Sequence, residues 1–331
     1  MTDGRPTRCR RCRVYHRTVA DEPTTTPRTG VFARWWRALT SARGFRWLAG
    51  VTVGMLWIIF PSGGFVRLSG SGLGCSDWPM CNAGGIVPAN TYYAWIEFSN
   101  RLLSIIVVVV VLIAGVVAFK AVGSTRAMRI GALVAAIASI GQIPLGGITV
   151  LFDLHPLLVG SHFALSLVAL AGGVVAFLEA ADVVHGTTRT VSRGTAWLAV
   201  LWSAALSTVV VTGVLVTSSG PHSGDAYVIK RFWVLDTAMY VHLRAVIALL
   251  IVGVIVAWII RGRRTDRGLM VPALLFIPVF IAQVIIGEVQ WRNHLPWEVV
   301  LAHVTVAAAV WGLGVAIAWR LMHPLASGTP D

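Results

Sequence analysis

The chain is poor in charge: 12% of its 331 residues are Asp, Glu, Lys or Arg, and only 14 are acidic, while 56% are hydrophobic. A soluble domain of this length carries far more charge on its surface, so a water-soluble globular protein is excluded. Cysteine is scarce, with four residues in all, which excludes a scaffold stapled by disulfides. No cleavable leader is expected, because the first apolar run starts near residue 46 and no cleavage pattern follows it. The shortage of acid leaves a net charge of +13. Such a balance would suit nucleic acid, but the basic residues crowd into the N-terminal tail and alternate loops, so no nucleic-acid partner is expected.

What the chain has instead is apolar length. A bilayer core takes about 20 apolar residues per helix. Eight such runs lie near 46–62, 95–119, 128–150, 157–178, 195–217, 237–260, 268–289 and 297–319, and the mean hydropathy is +0.76. Runs this continuous are helices, since lipid leaves no partner for an open backbone. The expected fold is an all-α integral membrane protein with eight transmembrane helices as two repeated four-helix bundles. Arg126, Arg129, Arg189, Arg193, Arg261, Arg263, Arg264, Arg267 and Arg320 fall in loops on one side. The positive-inside rule makes that side cytoplasmic, with both termini inside; Lys230 and Arg231 are the basic pair on the other side. The expected organisation is a cytoplasmic Arg-rich tail (1–44) with an interfacial end, an N-terminal half (45–180), a cytoplasmic linker (181–194), a C-terminal half (195–320) and a cytoplasmic tail (321–331).

Two pairs of polar residues recur inside these runs. Asn100 and His162 lie 62 residues apart, and His242 and His303 lie 61 apart. The second member of each ends a matching stretch, GQIPLGGITVLFDLHPLLVGSH and AQVIIGEVQWRNHLPWEVVLAH. In both, a Gln (Gln142, Gln283) stands 20 residues before the His and a Gly (Gly146, Gly287) 16 before it. The first and fifth runs both exit through Gly/Ser-rich segments, GGFVRLSGSG from Gly63 and TGVLVTSSG from Thr212. The halves are therefore parallel repeats about an axis along the membrane normal. With the topology above, all four residues sit in the outer half of the bilayer.

Ionisable groups inside a bilayer are costly and point to function. One imidazole from each of two helices can ligate a porphyrin iron, so His242 and His303 are candidate haem ligands. The alternative is two histidines that hydrogen-bond within the bundle. The first half differs, because the amide of Asn100 is a poor iron ligand. His162 could bind iron alone there, leaving the other face open. Glu97 shares a helical face with Asn100 and Arg101, either as a structural Glu–Arg pair or as a functional carboxylate beside that site. Glu288, the other intramembrane acid, reads as interfacial.

Cys75 and Cys81 lie in the first outer loop, where a disulfide is expected and two free thiols are the alternative. Cys9, Cys12 and His16 mimic a metal site but lack a fourth ligand; the tail that holds them is expected to be disordered. His222 and Asp225 in the loop before run six are too few for zinc. Trp78, Trp95, Trp233, Trp291 and Trp297 mark the outer interface. Arg67, Arg101, Arg231 and Arg244 are candidate contacts for haem propionates.

The stretch GGFVRLSGSGLGCSDWPMCNAG (63–84), EFSNR (97–101), GGITV (146–150) with His162, TSSGPHSGD (217–225), His242, and QVIIGEVQ with LPWEVVLAH up to His303 together resemble the haem A synthase family, over roughly residues 45–320. The resemblance implies a plasma-membrane oxidoreductase of eight helices that oxidises the C8 methyl of haem O to a formyl group. It implies a haem B held by His242 and His303, a substrate haem O in the N-terminal half at His162, an important acid at Glu97, and a Cys75–Cys81 pair. It also implies a membrane electron donor, with haem O synthase and a second copy of the chain as further candidate partners. Many members carry His where this chain has Asn100, so the role at that position does not transfer. Two rival readings are a non-catalytic membrane b-type cytochrome, which predicts two complete His pairs, and a transporter, which predicts no bound chromophore.

Overall fold

The computed structural model describes residues 30–82, 85–225, 227–228, 231–261 and 266–326. The expectations for Cys9, Cys12, His16, Arg263, Arg264 and Lys230 lie outside the described residues. Among the described residues all regular structure is helical: α1 (Val31–Thr40), α2 (Ala42–Leu68), α3 (Tyr92–Ala118), α4 (Arg126–Leu151), α5 (Pro156–His185), α6 (Arg193–Ser219), α7 (Leu235–Ile260), α8 (Arg267–Arg292) and α9 (Trp297–Met322). The last eight are each long and apolar enough to cross a membrane. Their outward faces carry bare apolar side chains such as Ile105, Leu250, Ile251, Val254 and Ile281, as lipid contact requires.

Helix starts follow local chemistry. The side chains of Ser41, Thr91, Thr125 and Asp266 accept the orphan backbone N–H groups of Gly44, Ala94, Met128 and Leu269. Ser41 also separates α1 from α2. No residue of α1 is buried, and Phe32 and Trp35 are bare, which agrees with an interfacial end to the tail. The main departure from the sequence reading is at α5, which runs on to His185 through about the first third of the expected linker before Gly186 caps it in the left-handed conformation. The polar residues there are paired rather than solvated. Glu179 accepts from Thr125 and Trp319, and Asp182 accepts from Arg189 and Arg320.

The repeat is written into the backbone. The α4–α5 turn passes through two consecutive left-handed residues, Asp153 and Leu154, and the α8–α9 turn through His294 and Leu295, at the equivalent place. Leu154 N–H donates to Thr149 O at 2.8 Å, and Leu295 N–H donates to Gln290 O at the same distance. Left-handed non-glycine residues each cost about 1–2 kcal/mol, so their recurrence as pairs marks a shared turn geometry.

Each half is a four-helix bundle. α2, α3, α4 and α5 close a ring in which each helix packs on its neighbours. α4 and α5 approach closely at Gly131 and Gly172, where an added Cβ on either would lie within 2.8 Å of the other's carbonyl oxygen. In the second half, α6 packs on α7 and α9, and α8 packs on α9, but no Cα of α7 comes within 8 Å of α8. The halves join chiefly along α9, which packs on α2 and α5. Trp57 of α2 donates to Thr305 O, and Trp311 of α9 donates to Leu167 O.

Candidate functional site

The helices that carry the paired polar residues are among those whose backbones stay apart. No Cα of α3 comes within 8 Å of α5, and none of α7 within 8 Å of α9. In each half the backbones of the helix bearing residue 100 or 242 and of the helix bearing residue 162 or 303 therefore stand more than 8 Å apart, and the interval between them is termed a slot. All four residues are half-buried.

His242 is held from behind. Thr212 Oγ1 lies 2.7 Å from Thr208 O and 3.0 Å from Val209 O, so its single proton goes to the α6 backbone. It therefore accepts the Nδ1–H of His242 at 3.0 Å. That fixes the tautomer and leaves the Nε2 lone pair free, as a metal-ligating imidazole requires. Gly213 clears the ring edge: a Cβ there would lie 3.2 Å from His242 Cε1. His303 and His162 pack the same way against α8 and α4, over Gly287 and Gly146. The Nδ1 atoms of both are buried without a hydrogen-bond partner. His303 Nε2 accepts from the Gln283 amide at 3.0 Å, whereas the Gln142 amide holds His162 O and Ser166 Oγ.

In the first half the place of the Thr212–His242 pair is taken by Ser62 and Asn100, with Ser62 Oγ donating to Asn100 Oδ1 at 2.7 Å. Ser62 answers Thr212, and Gly63 answers Gly213. Nothing lies within 4 Å of a Cβ built on Gly63, because the shorter amide does not fill the space that the imidazole fills against Gly213.

Glu97 and Arg101 are bound to the Cys loop. The buried Glu97 accepts Cys75 N–H through Oε2 at 2.7 Å and the Arg101 guanidinium through Oε1. Arg101 Nη1 also donates to Asp77 O and Met80 O. Cys75 and Cys81 form a disulfide. The loop carries Trp78, whose ring lies over Gly147, 2.6 Å from where a Cβ would stand, on the turn next to Gly146 and His162.

The candidate propionate residues are dispersed. Arg67 donates from Nε to His222 O and from Nη2 to Thr217 O, and His222 Nε2–H donates to Leu295 O. These bonds stitch the loops at the disulfide end together across the halves. Arg231 donates to Pro221 O. Arg244 is exposed and stands two residues past His242, about 200° round the helix, away from the face that His242 presents. Glu288 is exposed and pairs with Arg292. Among the described residues no group of three or more His, Cys, Asp or Glu side chains gathers for a metal ion.

The family model described as "Cytochrome oxidase assembly protein", COX15-CtaA, matches residues 45–315. The chain belongs to this family. Its COX15-CtaA match covers both slots and every membrane-spanning helix almost completely. Among curated relatives, the chain is 36% identical over 121 residues to a protein named heme A synthase from Bacillus licheniformis, covering 36% of this chain and 39% of that one. It is 34% identical over 132 residues to the heme A synthase of Lysinibacillus sphaericus (39% and 42%), and 28% over 130 residues to that of Geobacillus kaustophilus (39% and 41%). The chain spans about two-fifths of the length of these relatives.

Proposed function

We propose that this COX15-CtaA protein is a haem A synthase, oxidising the C8 methyl of haem O to a formyl group by two successive hydroxylations, the second giving a gem-diol that loses water. The membership of the family and the names of the relatives support the reaction. The slot between α7 and α9 is the observation that carries the site assignment. It has one imidazole, His242, already in the tautomer that offers Nε2, and a second, His303, across it. These residues fit an iron porphyrin. In this reading His242 and His303 would hold a haem B, His303 through the Nε2 that here accepts from the Gln283 amide. A porphyrin iron there supplies one-electron transfer between a membrane donor and the substrate.

Haem O then occupies the slot between α3 and α5, with His162 toward its iron. The disulfide loop covers that slot and keeps water from it. Glu97 and Arg101 set the loop's position, and Glu97 positions the substrate or handles protons beside the C8 methyl. Arg67, at the disulfide end of the bundle, remains as a contact for propionates, whereas Arg244, on the far side of α7 from His242, does not. Residues 45–180 form the substrate half and 195–320 the haem B half. The disulfide end faces outward from a plasma membrane, the basic residues inward with both termini, and both slots lie in the outer leaflet. A haem O synthase and a second copy of the chain are the further partners.

Pyridine-haemochrome analysis of the protein, co-expressed with a haem O-producing enzyme, tests this. The wild type is expected to hold haem B and haem A, with haem B lost in His242→Ala. Two equivalents of haem B without haem A would make it an electron-transfer cytochrome, and no haem at all would leave a transporter.

A further inference from the structure

The two slots are built on one plan with a single substitution in the axial position, and that substitution changes what the slot can do. In the second half a hydroxyl on the first helix, Thr212, takes the Nδ1–H of His242 and turns Nε2 outward. In the first half the equivalent hydroxyl, Ser62, gives its proton to Asn100 Oδ1. An amide whose oxygen is taken turns its NH2 group the other way. Asn100 Nδ2 makes no hydrogen bond with a described residue, and the space over Gly63 beside it is open. With its oxygen accepting from Ser62, the amide keeps both Nδ2 N–H donors without a partner among the described residues.

We propose that Asn100 is a hydrogen-bond donor to a small oxygen-containing or diatomic ligand on the face of the substrate haem opposite His162, with Ser62 as the residue that fixes its amide. This rests on the reading that haem O lies between α3 and α5. The iron there has one protein ligand, His162, and its other axial side is kept open and polar. The haem held by His242 and His303 has both sides filled. One repeat is thus configured for electron transfer and the other for binding a small ligand, and the chemical difference between them is that of an amide and an imidazole.

Carbon monoxide bound to the ferrous full-length protein, loaded with haem O, reports both features. A donor near the bound oxygen end draws electron density onto it and lowers the C–O stretching frequency. The wild type is expected to bind one carbon monoxide per chain holding two haems. In Asn100→Val the stretch is expected to move to higher frequency, and in Ser62→Ala to move the same way by less. Asn100→His is expected to keep both haems but lose carbon monoxide uptake, with a second low-spin signal in electron paramagnetic resonance. Haem B content reports folding in every variant. An unmoved stretch in Asn100→Val, or no carbon monoxide uptake by a chain holding two haems, overturns the proposal. A chain that takes only one haem, with no change in His162→Ala, instead overturns the placement of haem O on which the proposal stands.

Discussion

At the scale of single residues, what separates this chain from an ordinary polar bundle is the direction of a few protons. Thr212 carries one hydroxyl proton, the α6 backbone takes it, and His242 must then donate through Nδ1. Replacing Thr212 by Val leaves that N–H buried and unpaired, at a cost of roughly 1–3 kcal/mol. It also frees the ring to turn. Haem B retention is expected to fall about 10- to 100-fold in Thr212→Val, the usual penalty for losing such a partner, and to recover in Thr212→Ser; haemochrome titration of the purified variants measures it. Normal retention in Thr212→Val would mean that packing against Gly213 alone orients the imidazole. Glu97 is a different case, since both carboxylate oxygens are occupied by Cys75 and Arg101. Glu97→Gln is expected to keep haem B and lose haem A. Normal haem A formation in that variant would remove Glu97 from the chemistry altogether.

Elements bring these residues to bear, and they differ in how visible they were beforehand. The eight spans were legible because about 20 consecutive apolar residues have no other use, and the His pairs were legible because they interrupt such runs. The disulfide of the first outer loop was legible, but the loop's seat on α4 was not. Gly147 looks like any helical glycine until Trp78 is found over it. Ser62 and Thr212 were equally hidden, because a hydroxyl in a membrane helix commonly bonds its own backbone. Their equivalence emerges only when Asn100 and His242 are seen to share the same neighbour. The extension of α5 to His185 was missed for a related reason: its polar last turns resemble a solvated linker until partners from distant helices are supplied. The seat of the lid can be tested by itself. Gly147→Leu places a side chain where a Cβ already lies 2.6 Å from Trp78, so the loop must lift from α4. Haem A yield is expected to fall at least 10-fold, while haem B content and the melting temperature stay near those of the wild type. A loss of haem B as well would show that the loop is needed to fold both halves.

For the whole molecule, the question is what keeps two bundles with separate slots in a fixed relation. At the disulfide end the answer is hydrogen bonding among loops through Arg67 and His222. At the basic end it is charge. Arg189, in the segment joining the halves, makes paired bonds to Asp266 at the start of α8 and reaches Asp182 near the end of α5 and His323 O beyond α9. Burial alone would lower the pKa of its guanidinium, but the hydrogen bonds to Asp266 and the charge of Asp182 outweigh this and raise it. Arg320, almost fully buried, joins the same Asp182 from α9. A network of this kind is weak evidence for net stability, yet removing one member strands charges that have lost water. Among the described residues, Arg189→Met leaves Asp266 with no cationic partner and Asp182 with Arg320 alone. It is expected to destabilise the protein by about 3 kcal/mol or more. The double variant Arg189→Met with Asp266→Leu should recover part of that loss, since it removes the stranded carboxylate. Both substitutions lie at the far end of the bundle from the slots, so haem B content is expected to persist while electron transfer between the two haems slows. Thermal unfolding in detergent and flash-induced haem-to-haem electron transfer separate the two effects. An unchanged transfer rate in a destabilised Arg189→Met protein would mean that the α2–α9 and α5–α9 contacts alone set the distance between the slots.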